Sequence, residues 1–267
     1  MQFRIINTII ILLLAAGLVL AFFELASFIY VLAFIVFYIL FLLTVSTNVR
    51  FNFFVKSFSE NRKIKENQIA ITFDDGPVEN TLEVLKVLDK YNAKAGFFCI
   101  GKRIEKHPEI FKKIIEKGHV AGNHTYTHTR KMGALSVSRI IWEIEECNRI
   151  AEETAGIKLK LFRPPFGIVS PKTQKALERT GLKSVGWSIR SFDAVVSSEE
   201  IILNRIKKRI KPGAVILLHD NNAKTVNILE QLLLFLKNNH YEVVRPDKLL
   251  EINLFPNGSA EILYFQK

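Results

Sequence analysis

Apolar residues are distributed very differently in the first fifth of the chain and in the remainder. Residues 5 to 45 are almost continuously apolar and carry a single formal charge, Glu24. A membrane-spanning helix needs about 20 apolar residues and this run is roughly twice that length, so one helix would overshoot the bilayer by more than tilting absorbs. The pattern therefore predicts two transmembrane helices, over about residues 5–23 and 26–45, in an anchor that occupies residues 1–47.

The apolar run allows one alternative to two transmembrane helices, and the charges that flank it indicate on which side of the membrane the soluble part lies. A single span or an uncleaved signal sequence is the alternative, whereas a cleavable signal peptide is disfavoured because its apolar core is shorter and no second span should follow it. A hairpin places both of its ends on one side of the membrane. Arg4 precedes the hairpin, five lysines and arginines lie between residues 50 and 65, and the connecting turn has none. The positive-inside rule then favours a cytoplasmic location for the soluble part.

The rest of the chain alternates short apolar runs with amphipathic helical patterns. Residues 48–66 are predicted to be a polar linker, residues 67–253 one domain, and residues 254–267 a tail without a readable role. The predicted strands are 69–73, 95–100, 119–122, 159–162, 184–187, 214–218 and 241–244. The predicted helices are 80–91, 108–117, 136–155, 171–180, 198–210, 224–238 and a short one after Pro246.

This alternation predicts an α/β fold. The strand runs are nearly continuously apolar, which is typical of a parallel sheet buried on both faces. Helix-ending residues lie where the helical patterns stop, at Gly118, Gly156, Gly181 and Pro212-Gly213. About seven strand–helix units in one domain fit an irregular, incompletely closed (β/α)7–8 barrel. A doubly wound open sheet is the alternative.

Ionisable residues gather directly after the predicted strands. They are Asp74 and Asp75 after the first strand, His124 and His128 after the third, Arg163 after the fourth, Asp193 after the fifth and His219 after the sixth. Each alone also has a structural explanation. Asp74 and Asp75 could form an Asp-Asp-Gly-Pro turn, and His124 and His128 could be surface residues. Arg163 could close a strand, and His219 could be a hydrogen-bonded core histidine. Because the carboxyl ends of parallel strands meet at one edge of the fold, their joint placement favours a functional site.

The residue types fit a hydrolytic metal centre. A catalytic divalent ion commonly takes three protein ligands and leaves one position open for water. Asp75, His124 and His128 supply that number and type, and the i, i+4 spacing of the histidines places them on one face of a helical turn. Asp74 is then a candidate general base, and His219 a candidate acid that protonates a leaving amine. This chemistry suits the hydrolysis of an amide.

Short motifs in this set resemble the polysaccharide deacetylase family, also called the NodB-homology domain or carbohydrate esterase family four. The matching stretches are residues 72–77 (T-F-D-D-G-P), 124–128 (H-T-Y-T-H), 163–167 (R-P-P-F-G) and 217–219 (L-L-H). The resemblance covers about residues 68–250 and implies a NodB-like barrel. It also implies Asp74 as the base, Asp75 with the two histidines as metal ligands, and His219 as the acid.

The resemblance assigns further roles to four residues. Arg163 would pair with the base, and the backbone N–H of Phe166 would help to hold the oxyanion. Leu217 would lie beside the acyl methyl group, and Asp193 would orient the acid histidine and adjust its pKa.

The fourth motif departs from the family pattern. Where the family often shows D-x-x-D-W, residues 190–194 read R-S-F-D-A. Arg190 replaces the first aspartate and Ala194 replaces the tryptophan, so the aromatic wall of the substrate groove is in doubt while Asp193 is kept. Trp187 could substitute in part or could be a core residue.

Charge and cysteine content add two restrictions. The formal net charge is +11, from 37 Lys and Arg against 26 Asp and Glu, which fits a solvated basic surface or attraction to an anionic membrane or anionic glycan. Nucleic acid is not expected as a partner, because no recognised binding motif accompanies the charge. Cys99 and Cys147 are unclustered, which disfavours a disulfide framework or a structural zinc site.

Together these features predict a metal-dependent enzyme in the cell membrane that hydrolyses an N-acyl (acetyl) group on an amino-sugar glycan. One divalent ion is expected, with Zn²⁺ the default and Co²⁺, Ni²⁺ or Mn²⁺ also accepted by such ligands. The alternatives are a deacylase or deformylase of a lipid-linked sugar at the membrane surface, and a catalytically dead carbohydrate-binding module. The expected partners are the carbohydrate or lipid-linked substrate and, through the N-terminal helices, membrane lipid. A dead module would be expected to lose a ligand or the base, and this chain keeps them.

Overall fold

The computed structural model describes residues 2–254, so the predicted tail lies outside the described residues apart from Leu254. The described strands are β1 (Ser57–Phe58), β2 (Gln68–Asp74), β3 (Gly96–Cys99), β4 (Val120–Asn123), β5 (Leu161–Phe162), β6 (Lys183–Val185), β7 (Ile189–Arg190), β8 (Val215–His219) and β9 (Glu242–Val243). The described helices are α1 (Gln2–Phe22), α2 (Phe28–Ser46), α3 (Glu79–Lys90), α4 (Gly101–Lys106), α5 (Pro108–Glu116), α6 (Val137–Ala155), α7 (Pro171–Thr180), α8 (Glu199–Lys207), α9 (Lys224–Asn238) and α10 (Pro246–Leu249).

The strands form one parallel sheet that curves into an incompletely closed barrel. Neighbouring strands follow the order β1-β6-β5-β4-β3-β2-β8-β7, and β9 pairs with β2. Every ladder between these strands is parallel. The predicted α/β barrel with parallel strands is therefore confirmed, and the doubly wound alternative is not needed.

Two apolar cores explain why the strands read as continuously apolar. One core lies between the sheet and helices such as α3, α5 and α9, and includes Ile71 and Phe73. The other fills the barrel interior and includes Ala70, Phe98 and Leu217. Successive residues of a strand point to opposite faces, so Ala70 and Ile71 enter different cores and both are fully buried.

Local signals set the limits of the helices. α6 begins after Ser136, whose hydroxyl accepts a hydrogen bond from the Arg139 amide at 3.2 Å. It ends at Gly156 with φ of +70°, a left-handed conformation that glycine adopts without steric cost. α7 likewise begins after the Ser170 cap with Pro171 in its first turn, where the missing amide hydrogen of proline leaves no donor unsatisfied.

The two N-terminal helices match the predicted pair within a few residues. Their windows Ile5–Phe22 and Phe28–Ser46 are long and apolar enough to cross a membrane. The Tyr38 hydroxyl donates a hydrogen bond to Asn7 Oδ1 at 2.8 Å, which joins the helices.

Residues 48–66 are not a free polar linker, which corrects the sequence prediction. They include a 3₁₀ turn (Val49–Phe51) and strand β1, which pairs with β6. Phe54 and Val55 are buried in the core of the barrel interior. The segment is mostly polar, and its few apolar residues form runs that are too short to give a periodic signal.

Two further differences concern local geometry. The strand predicted over 184–187 is interrupted at Gly186, and the chain then pairs with β8 as the unpredicted strand β7. Gly186 donates its amide to Phe58, and Ser188 donates its amide to Val215, so the chain changes partners over three residues. Helix α4 was also not predicted, because its six residues are too few to show a helical period.

Candidate active site

Three side chains meet at the carboxyl ends of β2 and β4. Asp75 Oδ1 lies 3.6 Å from His124 Nε2 and 3.4 Å from His128 Nε2. One ligand atom from each of the three residues lies within 4.8 Å of the others. The structure thus brings together the three residues that the sequence indicated as metal ligands.

The donor spacing fits a small divalent ion. Zinc–nitrogen and zinc–oxygen bonds of about 2.1 Å in a tetrahedral site put two ligand atoms about 3.4 Å apart, close to the two distances from Asp75. His124 Nδ1 lies 2.7 Å from the Arg163 carbonyl oxygen, so Nδ1–H donates there and the lone pair of Nε2 faces Asp75. Burial, and then the neighbouring His124, lower the pKa of His128 to about 4, which keeps its imidazole neutral and free to bind a cation.

Backbone geometry, not a helical turn, brings the two histidines together. Residues 124–128 form a loop in which Thr125 has φ of +66° and His128 has φ of +50°. The His128 amide donates to Thr125 Oγ1 at 3.1 Å. The two imidazole centroids are 4.7 Å apart. The predicted helical i, i+4 arrangement is therefore wrong, although the proximity is right.

Asp74, the predicted base, is buried and paired with Arg163. Arg163 Nη1 donates to Asp74 Oδ1 at 2.7 Å, and the other carboxylate oxygen lies 3.8 Å from His124 Nε2. Arg163 is fully buried, and its remaining donors bind Thr72 Oγ1 and the carbonyls of Val185 and Gly186. Burial lowers the pKa of Arg163 from its usual value while Asp74 opposes that effect. A buried guanidinium that makes four hydrogen bonds holds the carboxylate in one orientation.

His219, the predicted acid, lies at the end of β8 against a buried carboxylate. His219 Nδ1 lies 2.8 Å from Asp193 Oδ1, and the His219 amide donates to Asp193 Oδ2 at 2.7 Å. Burial lowers the imidazole's affinity for a proton, but Asp193 and the nearby carboxylates outweigh it and raise the pKa of His219 to about 9. Burial likewise opposes ionisation of Asp193, but bonds from His219 and Ser191 outweigh it and lower the pKa of Asp193. This ion pair leaves Nε2 of His219 protonated at neutral pH.

Phe166 and Leu217 are the remaining residues that the sequence predicted for the site. Phe166 has φ of +60°, is 43% exposed, and its ring lies 4.7 Å from the His128 ring. Gly167 and Ile168 donate the hydrogen bonds of its turn; among residues 2–254 the Phe166 amide has no acceptor. Leu217 is buried in β8, two residues before His219.

Sequence reasoning missed the residues that support the loops carrying Asp75 and the two histidines. Glu143 on α6 is buried and accepts hydrogen bonds from the amide and hydroxyl of Thr127, both at 2.8 Å. Arg103 donates to the Asp75 carbonyl, and Asn221 Nδ2 donates to Asp75 Oδ2 at 3.2 Å. One signal was available, because Glu143 falls on the apolar face of α6 between Ile140 and Cys147, and a carboxylate on a buried face needs a partner.

The residues that depart from the family pattern in the fourth motif, and the nearby Trp187, lie beside this site. Trp187 is buried and packs against Gly167, where an added Cβ would lie 2.7 Å from its ring. Arg190 is exposed, with its Cζ 5.7 Å from the Trp187 ring centroid. Ala194 is exposed and leaves its part of the groove without an aromatic side chain.

Comparisons with known proteins agree with this arrangement. The family profile described as polysaccharide deacetylase matches residues 61–185. A peptidoglycan-N-acetylglucosamine deacetylase of Bacillus cereus is 35% identical over 191 residues, covering 69% of this chain and 89% of that protein. The peptidoglycan-N-acetylmuramic acid deacetylase PdaC of Bacillus subtilis is 27% identical over 201 residues, covering 74% of this chain but only 42% of PdaC.

Solved structures give the same result for the fold. A peptidoglycan N-acetylglucosamine deacetylase superposes with a TM-score of 0.69 at 30% identity, covering 74% of this chain and 93% of that one. A carbohydrate esterase family four pseudoenzyme from Bacillus anthracis superposes with a TM-score of 0.65 at 26% identity, covering 70% and 66%.

The parallel half-barrel, the ionisable groups at its strand ends and the named relatives place the chain among the hydrolases of carbon–nitrogen bonds other than peptide bonds. Within that class, the chain belongs to the polysaccharide deacetylase family.

Proposed function

We propose that this chain is a membrane-anchored, metal-dependent N-deacetylase that removes acetyl groups from an amino-sugar glycan. The observation that carries the proposal is the group formed by Asp75, His124 and His128, with its donor atoms at the spacing of a divalent ion's ligands. The names of the relatives, which specify N-acetylglucosamine and N-acetylmuramic acid in peptidoglycan, support an N-acetyl amino sugar as substrate.

The metal is proposed to be Zn²⁺, because two imidazoles and one carboxylate are a common ligand set for catalytic zinc. A bound ion would supply Lewis acidity to the acyl carbonyl and to a nucleophilic water. Asp74 would accept the proton of that water, since one of its oxygens is held by Arg163 and the other faces His124. The bond from Arg163 holds that carboxylate in place beside the ligand group.

His219 is proposed to protonate the leaving amine. Its raised pKa, about 9, keeps a proton on the ring at neutral pH, and its contact with Asp193 fixes which nitrogen faces the groove. On the other side of the site, the free amide of Phe166 would donate to the oxygen that becomes negative in the transition state. Leu217 would form the apolar floor under the acyl methyl group.

The proposal is tested by separating metal binding from turnover in the full-length chain in detergent. Asp75→Ala, His124→Ala and His128→Ala should each lose the metal and all release of acetate from N-acetyl chito-oligosaccharides. Asp74→Asn should keep the metal and lose on the order of 10²- to 10⁴-fold in kcat. Asp89→Asn, at a half-exposed surface carboxylate paired with Lys117, is the matched control and should keep both.

Elemental analysis and acetate release measured on the same samples give the answer. An Asp74→Asn variant with full turnover would contradict its role as the base. A metal-loaded chain that releases neither acetate nor formate from any amino sugar would instead favour a binding module without catalysis, as the pseudoenzyme neighbour shows is compatible with this scaffold.

A lipid-linked amino sugar is a second candidate substrate, favoured by the junction between helix α2 and the site. Ser46, the last residue of α2, accepts a hydrogen bond from the Val169 amide at 2.9 Å. Val169 lies three residues beyond Phe166, so about 10 Å of chain separates the exposed ring from the end of the anchor. The chain is proposed to lie in the cell membrane, with the charge distribution favouring a cytoplasmic domain. Comparing soluble chito-oligosaccharides with polyprenyl-phosphate sugars separates the two substrates.

A further inference from the structure

Two arginines enclose one aromatic ring beside the proposed active site. Arg190 Cζ lies 5.0 Å from the centroid of the Phe192 ring, and Arg205 Cζ lies 4.3 Å from it. The half-buried Phe192 is thus contacted by both guanidinium groups. Arg190, Phe192 and Arg205 are called the arginine shelf below.

The arginine shelf borders the groove that contains the reactive groups. Arg190 ends strand β7, where it pairs with Leu217 in β8, two residues before His219. Its guanidinium also lies 5.7 Å from the ring of Trp187, which packs against the Phe166-Gly167 turn. The arginine shelf therefore lies near both the strand end that carries His219 and the turn that carries Phe166.

The positive charge of the shelf is not neutralised locally. Within residues 2–254, neither Arg190 nor Arg205 has a carboxylate within the 4.0 Å of an ion pair, and neither does the nearby Arg209. Partial burial, followed by the charges of Arg209 and Arg190, lowers the pKa of Arg205. The acid that is nearest in sequence, Asp193, is already bound to His219 and Ser191.

The shelf is nevertheless held in place by specific contacts. Arg205 Nε donates to the Arg190 carbonyl at 3.0 Å, and Phe192 adopts φ of +63°, a left-handed conformation that costs about 1 kcal/mol or more for a non-glycine residue. Two guanidinium groups fixed near one another repel each other unless an anion lies between or beside them. Guanidinium forks match the geometry of phosphate and carboxylate groups.

We propose that the arginine shelf binds an anionic substituent, a phosphate or a carboxylate, on the same amino sugar whose N-acyl group enters the site. This inference rests on the proposed function and narrows its substrate to a negatively charged sugar. The proposal explains why Arg190, which lies beside the groove, has no carboxylate partner among residues 2–254. The anionic substituent would lie on the side of β7.

The test compares three N-acetylated sugars on the full-length, zinc-loaded chain in detergent. They are methyl N-acetylglucosaminide, which is neutral, N-acetylglucosamine 1-phosphate, and N-acetylmuramic acid, which carries a carboxylate. The ratio of kcat/KM for an anionic sugar to that for the neutral sugar should exceed one, and should fall about tenfold in Arg190→Gln, mainly through KM. Arg205→Gln should lower the ratio less, and Arg179→Gln, at an exposed arginine on α7, should leave it unchanged.

Each outcome bears on the shelf separately from the deacetylase proposal. A preference for the phosphate or for the carboxylate supports the shelf and identifies which anion it takes. Equal ratios in the native chain and Arg190→Gln overturn it, even where all three sugars are hydrolysed. If no sugar is hydrolysed, the deacetylase proposal fails, and titration with inorganic phosphate tests the arginine shelf by itself. Quenching of Trp187 fluorescence that is lost in Arg190→Gln supports the shelf. Quenching that is the same in the native chain and in Arg190→Gln contradicts it.

Discussion

At the scale of single residues, two histidines of one site are held in opposite protonation states. Burial and the neighbouring His124 keep His128 neutral, with a pKa of about 4, which suits a metal ligand. His219 is also largely enclosed, but the Asp193 carboxylate beneath it outweighs burial and raises its pKa to about 9. The difference in role therefore follows from one buried carboxylate and not from the residue type.

Asp193→Asn should shift the alkaline limit of activity to lower pH. A group with a raised pKa is protonated below that pKa, so the proposed acid His219 is competent below about pH 9 and loses its proton as the pH rises through that value. Without the carboxylate, the pKa of His219 should fall by about one to three pH units. The alkaline limb of kcat/KM should move by a similar amount, with metal content unchanged.

The measurement is a pH profile of acetate release for the native chain and the variant. Ser197→Ala, at an exposed serine four residues further along the loop, provides the control and should show the native profile. An Asp193→Asn profile with an unmoved alkaline limb and only a lower plateau would contradict this account of His219.

The sequence predicted the residues of the site better than the backbone that positions them. Asp75, His124 and His128 were predictable because each follows an apolar strand of a parallel sheet, and such strands end at one edge. The helical turn between the histidines was wrong because Thr125 and His128 adopt positive φ, which no spacing rule encodes. Glu143 is remote in sequence from the Thr127 backbone that it binds, so only the tertiary structure shows the contact.

At the scale of elements, strand β4 begins next to a histidine that has no role in the proposed chemistry. His119 is fully buried at the opposite end of β4 from the metal-ligand loop, and its Nδ1 accepts a hydrogen bond from the Ala95 amide at 3.1 Å. Its Nε2 is buried without a partner among the described residues. Burial, followed by the charge of Lys94, lowers the pKa of His119 to about 3.

His119 should make the fold sensitive to acid. Because its pKa is lowered in the folded state, the unfolded chain takes up the proton first, near pH 6.5. The stabilisation is complete above that pH and is lost progressively as the pH falls toward 3, by up to about 1.4 kcal/mol per pH unit. His119→Asn keeps an acceptor for the Ala95 amide and cannot titrate, so its unfolding free energy should lack this slope.

Denaturant unfolding of both proteins from pH 7.5 to pH 4 measures the difference. All other titratable groups are the same in both proteins, so the difference between the two curves isolates His119. Parallel curves would show that His119 takes up its proton in the folded protein as readily as in the unfolded chain, and so contributes nothing to acid sensitivity.

Elements that lie in an apolar run were predicted, and short elements outside such runs were not. Strand β2 has seven residues, six of them buried, and it was found within one residue at each end. Strands β1 and β7 have two residues each, and their pairing depends on the change of partners at Gly186. Strands β5 and β9 are equally short, but they lie in the apolar runs 159–162 and 241–244 and were predicted from them, whereas β1 and β7 follow from the tertiary fold.

At the scale of the whole molecule, the two N-terminal helices, which are predicted to be a membrane anchor, and the barrel are joined by apolar packing as well as by the chain. The Phe54 ring lies 5.0 Å from the Phe3 ring of α1 and 4.8 Å from the Phe53 ring, which in turn lies 5.3 Å from Phe41 of α2. Phe54 also belongs to the core of the barrel interior. This aromatic cluster and the Ser46–Val169 bond fix the site with respect to the anchor.

Phe54→Ala should therefore destabilise the full-length chain strongly. Phe54 is only 6% exposed, whereas Phe51, three residues earlier in the same segment, is 55% exposed. Removing a buried phenylalanine costs on the order of 3 to 5 kcal/mol, and removing an exposed one should change stability by about 0.5 kcal/mol or less. Thermal unfolding of both variants in the same detergent measures the difference. If residues 48–66 were a free linker, the two variants would have equal midpoints. A large loss in Phe54→Ala alone would show that this segment holds the anchor against the barrel, and with it the distance between the proposed active site and the membrane.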